Sequence, residues 1–118
     1  MIVALSISPS GPPLDRPDNV TTGAAPGGAG VSEAVAAAVG VIRASGLACE
    51  TNAMFTNIEG EWDEVMAVVK QAVDEVALRY PRVGIVLKAD IRPGHEGQLR
   101  AKVDRVEEHL RDQRTEEG

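Results

Sequence analysis

Residues Ile2 to Pro9, IVALSISP, alternate: Val3, Leu5 and Ile7 point one way, Ala4, Ser6 and Ser8 the other. A period of two predicts a strand with one buried face. Its second face is small and uncharged, which is unusual for a face left to bulk water. Periodicity is then lost from Ser10 to Gly30, which carries four of the seven prolines and a run of glycines. This stretch reads as a long flexible loop, either a lid or a dispensable insertion. Ser32 is placed to N-cap a helix with Glu33 in its first turn, where the dipole favours negative charge. Val35, Val39 and Ile42 form its apolar stripe and Gly46 its C-terminal stop.

LACETNA and MFTNIEG read as two short strands joined by a tight turn near Asn52 and Ala53. The clearest helix runs from Glu61 to about Arg79. Its stripe is Trp62, Val65, Met66, Val69, Val73, Val76 and Tyr80, and Tyr80–Pro81 stops it. RVGIVLKADIR is almost continuously apolar, which predicts a strand buried on both faces, in a central or interface position. After the RPGHEG turn, Leu99, Val103, Val106 and Leu110 mark a final helix, with a frayed tail from about 112.

The order is βαββαβ plus a terminal helix. It predicts a single α+β domain: a ferredoxin-like sandwich, with helices on one side of an antiparallel sheet and an extra C-terminal helix. No helix remains to cover the other sheet face, where Val86, Lys88 and the small residues of the first strand lie. A second copy of the chain is the expected cover, so a homo-oligomer is expected.

Composition narrows the function. The chain has 118 residues, a net charge of −6 and a sequence pI of about 4.8, and only Phe55, Trp62 and Tyr80 are aromatic. That balance disfavours nucleic acid and anionic membranes as partners. No window approaches the ~18 apolar residues of a membrane span, and the N-terminus lacks a signal-peptide pattern. A cytoplasmic protein is expected. The single cysteine, Cys49, excludes an intrachain disulfide and a cysteine-based zinc site.

Four carboxylates fall within six residues: Glu59, Glu61, Asp63 and Glu64. The last three occupy a helix start, which explains them without chemistry. Glu59 precedes the helix, on a strand, sharing a face with Phe55 and Asn57 while Thr56 shares the other. Its alternatives are solvent at the strand end or a ligand. His95 lies in a turn, and His109, on the terminal helix, shares no face with a carboxylate pair at metal spacing; no phosphate loop is present, and no nucleophile–base arrangement appears.

Three segments carry a resemblance. Ile7 and Pro9 close the opening strand. Thr56 precedes the run Ile58-Glu59-Gly60-Glu61-Trp62-Asp63-Glu64-Val65-Met66. Lys88, Asp90 and Arg92 end the last strand. Over residues 1–9 and about 31–110 the chain resembles the small ferredoxin-like thiamine-binding protein family; the 10–30 stretch is longer than the family pattern. The resemblance implies no catalysis and no cofactor in the catalytic sense. It implies binding of thiamine or its hydroxymethylpyrimidine moiety, and dimers that pair as tetramers. Thr56 and Glu59 match its motif, and Ser6, Ser8, Asn52 and Asn57 supply further polar groups on adjacent strands. Strand alternation sets Thr56 and Glu59 on opposite faces unless a bulge intervenes. The rival readings are a structural or regulatory homo-oligomer without a small ligand, and an enzyme using Glu59 as a base with His95.

Overall fold

A computed structural model describes residues 1–14 and 29–117; of 29, 30 and 114–117 only the backbone is described. The elements are β1 (Ile2–Ser10), α1 (Ala29–Ala44), β2 (Ala48–Thr51), β3 (Thr56–Glu59), α2 (Trp62–Ala77), β4 (Arg82–Asp90) and α3 (Gln98–Glu117). The four strands form one sheet in the order β2-β3-β1-β4, each neighbouring pair antiparallel. This is the ferredoxin-like βαββαβ sandwich with an added C-terminal helix.

The core lies between the sheet and helices α1 and α2. Val3 and Leu5 of β1 and Ile58 of β3 are buried against Ala34, Ala38 and Ile42 of α1 and Val65, Val69, Ala72 and Val76 of α2. The row of small residues on α1 allows close approach, so the buried stripe is Ala34–Ala38–Ile42. Val35 and Val39 sit half-buried at its side. On α2 the expected stripe is buried at Val65, Val69 and Val76, with Tyr80 just beyond. Trp62, its first member, stands 54% exposed because the first turn overhangs the end of the core.

Several sequence expectations shift. Helix α1 begins at Ala29, so Ser32 lies inside the helix rather than at its N-cap, and Gly30 belongs to the helix. The expected 10–30 loop is thereby reduced: Ser10 ends β1, and 15–28 lie outside the described residues. Gly46 takes φ +82 just past the helix, a conformation favouring glycine. Helix α3 continues to Glu117 instead of fraying near 112, since no glycine or proline interrupts it. Strand β4 is an edge strand beside β1, not a central one. With helices on one face only, alternation half-buries Val83 and Leu87 and leaves Val86 61% exposed on the other face.

Register assigns the two faces. Thr56 pairs with Leu5 and Ile58 with Val3, on the helix side; Asn57 pairs with Ala4 and Glu59 with Ile2, on the open side. No bulge interrupts this pairing, so Thr56 and Glu59 lie on opposite faces.

Candidate functional site

The hairpin between β2 and β3 is built by its polar residues. The Asn52 Oδ1 accepts hydrogen bonds from the N–H groups of Met54 and Phe55, both at 2.9 Å. The Asn52 N–H donates to the Phe55 carbonyl at 2.9 Å. An Asx turn of this kind lets a short side chain replace the missing backbone partners. The turn brings Thr51 opposite Thr56, and their hydroxyl oxygens lie 3.2 Å apart. Thr56 is 7% exposed, the one buried polar residue among the described side chains.

These two hydroxyls line a cavity of about 210 Å³ between β1, the hairpin and α1. Its walls are Leu5, Ile7, Val35, Val39 and Ile42, with Met54 and Phe55 at the hairpin tip. None of its lining residues is charged. Ser6 and Asn52 also line it, although alternation along β1 directs the Ser6 side chain with Ala4 and Ser8 toward the open face. The half-buried Val35 and Val39 border this cavity.

The six residues singled out in the sequence do not converge. Thr56, Asn52 and Ser6 meet at this cavity. Asn57 is on the open face, its Nδ2 donating to Glu50 Oε1 at 3.4 Å. Ser8 is exposed on the same face, paired with Gly84. Glu59 lies three residues along β3 from Thr56, ~10 Å away at strand rise. Its carboxylate accepts from the backbone N–H of Gln98 at 2.9 Å and of Leu99 at 3.3 Å. Those are orphan donors of the first turn of α3, so Glu59 acts as a distant N-cap. In this structure its oxygens are held by α3 and not aimed into the cavity.

Glu59 also borders a wider cleft, about 640 Å³, between the β3–α2 corner and the β4–α3 loop. Trp62, Arg92, Pro93 and His95 line it. The acidic run beside it is accounted for by α2: Glu61 is the N-cap residue, its N–H donates to Glu64 Oε1 at 3.3 Å, and Asp63 and Glu64 sit in the first turn. His95 lies in the loop with its Nδ1 3.2 Å from the Pro93 carbonyl, and it lines the same cleft as Glu59.

Thr51 is the polar cavity residue that sequence reading passed over. Its signal was available: two strands joined at Asn52 and Ala53 place the residue before the turn opposite the one that opens the second strand. Among the described residues no helix is long and apolar enough to cross a membrane.

A UPF0045 protein of Mycobacterium bovis is 54% identical over 84 residues, which cover 70% of this chain and 82% of the relative. A UPF0045 protein of Methanocaldococcus jannaschii is 37% identical over 81 residues, covering 69% and 81%. The crystal structure of the hypothetical protein MJ1052 from the same archaeon superposes with a TM-score of 0.70 at 32% identity, over 91% of this chain and 95% of the other. A Thermotoga maritima protein, named for thiamine biosynthesis or salvage, shares the fold at a TM-score of 0.62 and 19% identity, over 86% and 96%. The family model described as thiamine-binding protein matches residues 20–107. On that match and the mycobacterial identity, the chain belongs to the thiamine-binding protein family.

Proposed function

We propose that this protein binds thiamine or its hydroxymethylpyrimidine moiety without transforming it, in the cavity bounded by β1, the β2–β3 hairpin and α1. The observation that carries the reading is the Thr51–Thr56 hydroxyl pair set in an aliphatic, uncharged cavity. One bond between two hydroxyls leaves one O–H donor and several lone pairs unused. An aminopyrimidine edge offers a ring nitrogen that accepts and an amine that donates, so the two edges are complementary. The methyl and ring faces suit Leu5, Ile7, Val35 and Val39. The thiazolium cation of thiamine gains nothing from a lining without a carboxylate, so it belongs at the mouth, in water. Membership of a thiamine-binding family supports the same ligand class.

Thermal unfolding with and without each compound tests it. A ligand at ~100 times its Kd adds ~2.7 kcal/mol to stability. A shifted midpoint with thiamine or hydroxymethylpyrimidine, abolished in Thr51→Val with Thr56→Val, is the expected result. A shift that survives both substitutions places the ligand elsewhere, and no shift with any related compound removes the binding reading.

The same proposal holds that the protein is cytoplasmic and self-associates. Self-association rests on the open sheet face, where Val86 is 61% exposed and the small residues of β1 leave a flat surface. The second reading, a structural or regulatory oligomer without a small ligand, draws on that same face. Unchanged unfolding with every thiamine-related compound, in a protein that remains oligomeric, favours it.

A further inference from the structure

Helix α3 carries an apolar row that the described residues leave exposed. Val103, Val106 and Leu110 are 50%, 58% and 42% exposed, and Leu99, the first of the row, is half-buried. The rest of the described helix surface is charged or polar, with a single small residue, Ala101. Near its start the helix is held to its own domain through Glu59 on the N–H groups of Gln98 and Leu99 and through the Lys102–Asp90 ion pair.

The row is spaced four, three and four residues apart along the chain, the a/d spacing of a helix–helix seam. It is also self-complementary when reversed. Laid antiparallel on a second copy of itself, Leu99 meets Leu110 and Val103 meets Val106, giving four filled layers about a two-fold axis. The same register sets Arg100 beside Glu107 of the second helix, and by symmetry this opposite-charge pair occurs twice. Both residues are exposed. An isologous contact requires this kind of self-complementarity.

We propose that α3 pairs antiparallel with α3 of a second copy of this chain, with the two-fold axis between Val103 and Val106. The inference rests on the reading of the protein as self-associating, but it uses a surface separate from the open sheet face. Apolar layers supply the attraction, and the Arg100–Glu107 pairs select the antiparallel register.

The test measures dissociation of the full-length chain by analytical ultracentrifugation and then fixes the register. Glu107→Arg sets arginine against Arg100 twice, and we expect dissociation to become about tenfold easier or more. Arg100→Glu added to Glu107→Arg swaps the pair and restores the wild-type constant. In a Cys49→Ser background, chains with Leu99→Cys and chains with Leu110→Cys, mixed and oxidised, form the mixed disulfide. Each variant alone linking to itself means a parallel pair and overturns the proposal. A wild-type oligomer indifferent to the charge changes but dissociated by Val86→Glu overturns the α3 contact while keeping self-association through the sheet. A chain that is monomeric at every concentration overturns both.

Discussion

The carboxylate of Glu59, at the end of β3, accepts a hydrogen bond from the backbone N–H of Gln98 at 2.9 Å, thirty-nine residues later in the chain. A side chain on the open sheet face thereby caps the helix that leaves that face. The neighbouring bond from the Leu99 N–H, at 3.3 Å, completes the arrangement. A residue that resembles a ligand contact in sequence is thus given a structural partner by the fold.

Replacing Glu59 by Ala is therefore expected to loosen α3 rather than to empty the binding cavity. Loss of an N-cap costs about 1 kcal/mol. Amide hydrogen exchange should accelerate in the first turn of α3, while the affinity for hydroxymethylpyrimidine stays at the wild-type value. A variant with normal exchange in α3 and lost affinity would return Glu59 to the ligand.

The hydroxyl pair makes an asymmetric prediction. Thr51→Val leaves the buried Thr56 hydroxyl without its partner at the cavity wall, and costs about 1 kcal/mol of stability. Replacing both by valine removes the need for the bond, so the double variant should be no less stable than the single one. Denaturant midpoints of Thr51→Val, Thr56→Val and the double variant decide this. Affinity for the pyrimidine should nonetheless fall in all of them, by tenfold or more in the double variant.

Asp90 tests the second tether of α3. The hydrogen bond from Lys102, and after it the charge of Lys102, hold its carboxyl below the ordinary value of 3.8. A lowered folded-state value means the tether contributes fully above the unfolded value. It is lost only as pH falls through the still lower folded one. The contact should therefore persist across the neutral range and weaken only in acid below about pH 4. A carbon-detected NMR titration should find the Asp90 midpoint below 3.8 in the wild type and moved upward in Lys102→Met.

Gly60 joins β3 to α2 where there is little room. A Cβ there would lie 3.2 Å from Val65 Cγ2 and 3.3 Å from Leu47 Cδ2. Val65 is wholly buried, so it has little freedom to move aside. Gly60→Ala is expected to destabilise the domain by ~1 kcal/mol through overpacking. An unchanged thermal midpoint would show that Leu47 yields without cost.

The elements of this fold were legible because each carries a local period. Alternation in Val3, Leu5 and Ile7 needs only a strand with one wet face, and the valines of α2 need only a 3.6-residue turn. Element order then led to the βαββαβ sandwich. Alternation alone also separated Thr56 from Glu59, and the unbroken register of β3 against β1 agrees. Less was legible where burial depends on a neighbour. Trp62 fits the stripe of α2 yet is exposed, because a helix's period does not say where the core ends. The apolar run of β4 suggested two buried faces, while its rank at the sheet edge is set by pairing with β1 alone.

The sequence by itself determined the class of fold, the hairpin at Asn52, the acidic start of α2 and the family, since each rests on residues near one another in the chain. Tertiary structure decided which polar groups meet. Thr51 joins Thr56 through strand pairing, Glu59 is drawn to Gln98 across thirty-nine residues of chain, and Ser8 and Asn57 are left on the open face. Local period fixes the direction of a side chain; only the packing of distant segments supplies the group it points at.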